Sequence, residues 1–510
     1  MSCLSGKDAI VVNRRRSEAV LIAALLLGAS VLAFSQNGFE GRLSRDQGNL
    51  VYSGQQMAKG VPPYVSLFNH TGPLSPLIAG AAMFVPNALS VDDVFAVRMV
   101  FCALSALAVV ALYWLATTLF GSRGLGLLAA VVFIGLEGFA RDAGSGPRAK
   151  TPMVLFEILC LLFAARKNWF SAGLFGSLAL LAWQPAGVYA VTAVVVAALQ
   201  SARGRERSSS LIRAIAGTLL PIVVVSGYFV YKDAFVEFVD SAVLFNLYYV
   251  ERVPTTLIQH FANPIAAVYR SYPLGVLPIV LGFLATAAVH VWRVRENDGS
   301  ISKLMATDRF AVFLVSFLAM VIWSLVDFQG GPDLFVLLPY VAIGFGWLLH
   351  LAFRHMMDTL QTGQAARRAV LAVLCVILVM TEAGYYRKTR EEGLQEQRRL
   401  AQQIEDEFGR DCRLVSISSP EILVLLNKTN PNRYLFIASG IDNLIDATEA
   451  GGFEGWLRQL EAFDAPVIAL GPITGRRAQM VMDWLKTRYQ ERKVGSWTLF
   501  VKEHGGARSG

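Results

Sequence analysis

About eleven runs of mostly apolar residues divide this chain, lying near 18–35, 96–120, 124–140, 151–166, 169–183, 186–200, 211–231, 272–292, 309–327, 333–353 and 369–386. Each is roughly 17–25 residues long, the length a helix needs to cross ~30 Å of hydrocarbon. A soluble chain that is 54% hydrophobic and 16% charged would expose large sticky patches. The expected fold is an all-α polytopic membrane bundle. The stretch 74–90 is also apolar, but Pro76, Pro86 and Asn87 break it. It reads as a helix lying in or near the interface, with a twelfth span as the alternative. Arg14-Arg15-Arg16 ahead of an apolar run resembles a secretory signal. Phe34-Ser35-Gln36-Asn37 lacks the small-x-small cleavage pattern, so the first span is expected to be retained.

Basic residues orient the bundle. Arg14 to Arg16, Arg123, Arg166, Lys167, the Arg203–Arg207 cluster, Arg293, Arg295, Arg367 and Arg368 all fall on one side. By the positive-inside rule that side is cytoplasmic. An odd number of spans then puts the N-terminus in the cytoplasm of a plasma-membrane protein and the C-terminal tail outside. The +8 net charge follows from these loops among membrane lipids and calls for no nucleic acid. The five cysteines stand singly at Cys3, Cys102, Cys160, Cys375 and Cys412, with no disulfide or metal framework. The six histidines show no ligand spacing.

The loop after the first span is too long and too specific to be a simple connector. It runs from Gln36 to Pro73 through Arg45-Asp46-Gln47-Gly48, Tyr52-Ser53-Gly54, Pro62-Pro63-Tyr64 and Asn69-His70-Thr71-Gly72-Pro73. It sets a lone carboxylate, Asp46, beside the cation Arg45 at the membrane surface. A lipid-linked substrate, which cannot leave the bilayer, would have to react there. Asp46 could equally cap an interfacial helix starting near Gly48. A second outer segment, Arg141 to Lys150, joins glycines that admit a close ligand with the cations Arg141, Arg148 and Lys150. Such a cluster can hold a phosphate or diphosphate; plain lipid-headgroup contact is the alternative. Further outer segments are 232–272, with Tyr248, Tyr249, Glu251, Arg252 and His260, and 329–333, with Asp333. Snorkelling accounts for Arg98 at the outer end of the second span, and the aromatic belt accounts for Trp183. Glu137 and Glu157 lie in apolar stretches, where charge is costly. They are candidates for the site or for pairing with Arg148 or Lys150.

Residues 1–387 form the membrane domain on this reading, and 388–510 a small soluble α/β domain outside. Short β-rich runs at 413–417, 422–426, 433–437, 467–470 and 497–502 alternate with helical patterns near 391–408, 453–463 and 475–489. Gly471-Pro472-Ile473-Thr474-Gly475 resembles a phosphate-binding turn but lacks the known spacings, and an ordinary strand–helix turn explains it. Asn69-His70-Thr71 and Asn427-Lys428-Thr429 match the common N-x-T pattern by default chance.

An acidic residue in an outer loop after the first span, followed by many spans, is the layout of the GT-C glycosyltransferases. Arg45-Asp46-Gln47-Gly48, Gly60-Val61-Pro62-Pro63-Tyr64-Val65, Asn69-His70-Thr71-Gly72-Pro73-Leu74, Gly146-Pro147-Arg148-Ala149-Lys150-Thr151-Pro152-Met153 and Trp183-Gln184-Pro185 resemble the dolichol- or polyprenyl-phosphate-mannose mannosyltransferases. That branch is related to protein O-mannosyltransferases and to aminoarabinose transferases of lipid A. The resemblance covers roughly residues 15–390.

The resemblance implies a polyprenyl-phosphate sugar donor, an inverting transfer at the outer face, and an acceptor that is a glycan, lipid or protein. The sugar would be mannose or a similar hexose. Asp46 matches the acidic position, where a carboxylate takes the proton of the attacking hydroxyl. Arg148, Lys150, Arg141 and Arg45 are the expected ligands of the donor phosphate. Gln47, Tyr52, His70 and Asp142 are the expected substrate contacts. Many relatives carry a lysine just before the Pro-Leu of the His-Thr-Gly-Pro-Leu segment. Here Thr71 and Gly72 stand there, so the phosphate cation is expected at Arg148 or Lys150. No metal ligand set is expected and no cofactor is certain, although Asp46 with Asp142 leaves a divalent metal possible. A transporter or flippase of lipid-linked sugars is the alternative function. It should show polar or broken helices at mid-membrane, often repeated. This chain keeps its polar residues mostly at the outer ends of spans.

Overall fold

Charged residues of the long apolar helices stand mostly toward their ends, and the helix Asp93–Phe120 is capped at both. In Asp93–Phe120 the Asp92 carboxylate accepts from the Phe95 N–H at 3.1 Å, and Gly121 closes the helix in the left-handed region at φ 69°. Glycine enters that region without the Cβ penalty. The structure, a computed structural model, describes residues 6–36, 39–84, 91–200, 205–251, 275–327, 331–390, 392–438 and 440–502. Arg203, Arg252, His260, Gln329 and Gly330 lie outside the described residues.

Six described helices are long and apolar enough to cross a membrane: Ser17–Gln36, Asp93–Phe120, Ser208–Tyr231, Leu277–Glu296, Gly331–Thr359 and Gln364–Lys388. Arg123–Ile134 and Glu137–Ser145 are together apolar and long enough for a broken span or a re-entrant loop, bent by 67° at the break between them. The shorter apolar helices Lys150–Ala165, Trp169–Ala182, Gly187–Gln200 and Ala311–Val326 pack within the bundle. The protein is therefore a multi-pass membrane helical bundle. Asp93–Phe120 lies at its centre, against Ser17–Gln36, Arg123–Ile134 and Lys150–Ala165. Small residues let backbones approach. A Cβ on Gly173 would lie 2.2 Å from the Ala214 carbonyl oxygen, and one on Gly217 would lie 2.0 Å from that of Phe170. In lipid, where apolar surface gains little by meeting apolar surface, such close packing is a main source of helix association.

Leu74–Ala82 is a helix of only nine residues. At 1.5 Å per residue it is about 13 Å long, far short of a span. It packs on Arg45–Ala58 and on Asp93–Phe120.

After Lys388 the chain builds a four-stranded sheet, β1 (Leu414–Ile417), β2 (Val467–Leu470), β3 (Gln490–Val494) and β4 (Trp497–Val501), in the order β1-β2-β4-β3. β1 and β2 are parallel, with Leu414 opposite Val467; the other pairs are antiparallel. Two runs expected as strands behave otherwise. Residues 422–425 fall in the helix Pro420–Leu425, with Leu426 as its C-cap, and Pro420 opens it at the position where a missing N–H costs nothing. Residues 433–437 are buried but lie outside the sheet, bonded instead to loops: the Phe68 N–H donates to the Arg433 carbonyl at 2.6 Å, and the Ser418 N–H to that of Leu435 at 2.6 Å.

These C-terminal elements sit on the first outer loop. Leu43, Val51, Tyr52 and Leu67 share one apolar cluster with Leu394, Ile422, Leu435 and Trp497. Helix Pro420–Leu425 lies on Arg45–Ala58 at Gly48, where a Cβ would come within 3.0 Å of the Glu421 nitrogen. Gln397 extends the contact: its amide accepts from the Leu43 N–H at 2.7 Å and donates to the Leu43 carbonyl at 3.1 Å.

Candidate active site

Helix Arg45–Ala58 begins one turn earlier than Gly48, because Ser44 caps it. The Ser44 hydroxyl accepts from the Gln47 N–H at 3.5 Å, and the Gln47 side chain accepts from the Ser44 N–H at 3.1 Å. This reciprocal cap satisfies two otherwise unpaired donors and commits Gln47. It also relieves Asp46 of capping duty. Asp46 stands in the first turn, where the positive end of the helix dipole favours a carboxylate, and its side chain is 52% exposed.

The second outer segment reaches it. Helix Glu137–Ser145 ends at Gly146, whose N–H donates to the Asp142 carbonyl at 2.8 Å. Two residues on, Arg148 donates through Nη1 to Asp46 Oδ2 at 2.8 Å, across 102 positions of sequence. Its Nε lies 3.3 Å from Asp142 Oδ2. Arg45 lies on the other oxygen of Asp46, 3.5 Å away, and its guanidinium faces the Phe436 ring at 5.5 Å. Asp46, Arg45, Arg148 and Asp142 therefore form one charged cluster, open to solvent at Asp46 and buried at Asp142.

Lys150 is close but differently engaged. Its ammonium pairs with Asp333 and lies 4.8 Å from the centre of the Trp183 ring. Arg141 is on the same helix as Asp142, and its carbonyl accepts from the Ser145 hydroxyl at 2.8 Å. Tyr52 points away, into the C-terminal elements, where its hydroxyl accepts from the Asn430 N–H at 3.0 Å. Burial pushes that phenol up to about 12, so it stays protonated.

His70 packs between Phe245 and Phe436, at 5.8 and 6.2 Å. Its carbonyl accepts from Gln184 and Asn246, both at 2.8 Å, while Nδ1 is enclosed with no hydrogen-bond partner. Burial first, then the charges of Lys150 and Arg45, lower its pKa to about 4 against the opposing pull of Asp46. The imidazole is neutral near pH 7.

The missing lysine of the His-Thr-Gly-Pro-Leu segment has a steric cause. A Cβ on Gly72 would lie 2.1 Å from the Leu181 carbonyl oxygen, so no side chain fits there. Thr71 is turned into its own loop, bonding Asn69 Oδ1 through both N–H and hydroxyl.

Other expectations need correction. Arg98 does not snorkel. It is fully buried, donating from Nε to the Gly146 carbonyl at 3.2 Å and from Nη1 to the Phe39 carbonyl. One guanidinium thus ties the loop that carries Arg148 to the loop that leads to Asp46. Arg148 and Lys150 take Asp46, Asp142 and Asp333 as partners, not Glu137 or Glu157. Glu137 accepts from the Tyr385 hydroxyl at 3.2 Å, and Glu157 is wholly buried in the bundle. The 471–475 turn is filled by its own chain, since a Cβ on Gly475 would lie 2.8 Å from the Asp442 carboxylate. Asp333, Gln184 and Phe436 were assigned no role from sequence. Asp333 was readable as an acid in a short outer segment, but nothing in the tail marks Phe436.

Among the described residues no three His, Cys, Asp or Glu side chains are grouped so as to hold a metal ion. Asp46 and Asp142 share the Arg148 guanidinium. They do not fit a metal as arranged.

No family model matches this sequence, and no curated protein matches it in sequence. Solved structures match its fold. ArnT from Cupriavidus metallidurans in the apo state aligns with a TM-score of 0.59 at 11% identity, over 96% of this chain and 98% of that one. The same protein bound to undecaprenyl phosphate gives 0.56 at 13%, over 95% and 98%. The Archaeoglobus fulgidus oligosaccharyltransferase tethered to an acceptor peptide gives 0.50 at 11%, over 88% and 69%. The chain shares the fold of ArnT along nearly its whole length.

Proposed function

We propose that this chain is a membrane glycosyltransferase. It moves a sugar, mannose or a similar hexose, from a polyprenyl-phosphate carrier to a glycan, lipid or protein acceptor at the outer face. The observation that carries this reading is the Arg148–Asp46 pair, drawn from segments 102 residues apart onto an exposed surface in a chain with the ArnT fold. The likeness in fold to a protein solved with undecaprenyl phosphate supports the donor class.

In the reaction the donor phosphate draws Arg148 and Arg45, which frees Asp46. The acceptor hydroxyl oxygen attacks the anomeric carbon and its proton passes to an Asp46 oxygen. The bond from that carbon to the phosphate oxygen breaks, and its electron pair stays on the phosphate, where the guanidiniums stabilise it. Attack opposite the leaving group inverts the sugar. Asp46→Asn should lower turnover by on the order of 10²–10⁴ with little change in donor KM. Arg148→Ala should raise donor KM, since a charge-assisted contact is roughly twice as strong as a neutral one. Near-normal turnover by Asp46→Asn would refute the base role.

The short apolar helices, counted with the long ones and the bent pair, complete eleven crossings in this proposal. Residues 388–510 then form the outer unit. An impermeant thiol reagent applied to intact cells should label Ser496→Cys and spare Ser208→Cys; the reverse would invert the topology. The transporter alternative is not favoured, because the charged cluster gathers at one end of the bundle.

A further inference from the structure

Lys150 opens helix Lys150–Ala165, and its ammonium is enclosed on two sides. Asp333, on the turn Gly331–Leu337, takes one side, and the Trp183 ring takes the other. The side chains are 18% and 8% exposed for Lys150 and Asp333, so this is a sheltered pair at the border of the charged cluster. A sheltered pair is screened little by salt. Any anion that binds Lys150 must therefore compete with Asp333.

The two lipid species of the proposed reaction differ in charge. The sugar donor is a phosphodiester with one negative charge. The product is a phosphomonoester, which carries ≈ −1.5 to −2 near pH 7. Arg45 and Arg148, joined by Lys150 from the border of their cluster, would grip the product harder than the donor, and slow release would then limit turnover.

We propose that Asp333 is the resident counter-ion of Lys150, displaced by the lipid phosphate and returning to expel the polyprenyl-phosphate product. This rests on the transferase reading. Asp333 touches no reacting atom in it; it acts through Lys150 and sets how tightly the product is held.

The test is binding of undecaprenyl phosphate to the full-length protein in lipid nanodiscs. Asp333→Asn should bind about tenfold tighter than the wild type, a coupling of ordinary size between two sites. In a Lys150→Met background the same substitution should change nothing, because the ammonium over which the anions compete is gone. A merely structural Asp333 would weaken binding or leave it unchanged, and would do so in both backgrounds. Asp333→Ser carries the same expectation should Asp333→Asn not survive purification. Binding by Asp333→Asn that equals or falls below a measurable wild-type value overturns the counter-ion role and leaves the transferase reading intact. Absence of binding by the wild type overturns both.

Discussion

Arg148 divides its guanidinium between two carboxylates, Asp46 and Asp142, and Arg45 flanks the first of them. Asp46 is half exposed and open to exchange, while Asp142 is buried. His70 is enclosed too, with a pKa near 4 against about 6.5 in an unfolded chain. Between those values the unfolded chain binds the proton first, so lowering the pH through that window removes stability that is complete above pH 6.5. His70→Phe should keep the ring packing and lose less of its melting temperature between pH 7.5 and 4.5 than the wild type. An equal loss in both proteins would contradict it. Asp46, Arg148 and Lys150 draw the eye in the sequence because charges in short outer segments stand out against apolar spans. Their partners were not. No local pattern sets Lys150 on Asp333, and Gly72 reads as a lost lysine until the Leu181 carbonyl is seen against it.

At the scale of elements, the break between Arg123–Ile134 and Glu137–Ser145 turns the second helix across the bundle and delivers the Gly146 loop to the first outer loop. Arg98 holds the two together from within. Arg98→Met would leave the buried Gly146 carbonyl and the part-buried Phe39 carbonyl without that donor, at a cost of about 1–3 kcal/mol for the buried one. It should lower the unfolding temperature in detergent and reduce transfer, with Arg98→Lys intermediate. A methionine variant that melts with the wild type would refute the tie. Sequence placed most long helices within a few residues, because lipid imposes length and apolarity on them. It misread 422–426, where an apolar run suits either helix or strand and tertiary packing on Gly48 decides. It also misread Arg98, since a cation near a span end looks alike whether it faces water or two carbonyls.

For the whole molecule, the sheet and helices after Lys388 form a cap on the loop that bears Asp46, sharing its apolar cluster and placing Phe436 beside Arg45 and His70. Composition alone marked that region as a separate unit; its docking depends on Gln397, Asn430 and Trp497, contacts with no signature in sequence. The central claim is that Asp46 lies at the centre of a sugar transfer to an outer-face acceptor. The most direct measurement is mass spectrometry of surface glycans, glycolipids and glycoproteins from cells lacking this chain, complemented with either wild type or Asp46→Asn at matched membrane levels. A species one hexose heavier should return with the wild type and stay absent or faint with Asp46→Asn. Full restoration by Asp46→Asn, or no mass difference between the null strain and the wild type, would contradict it.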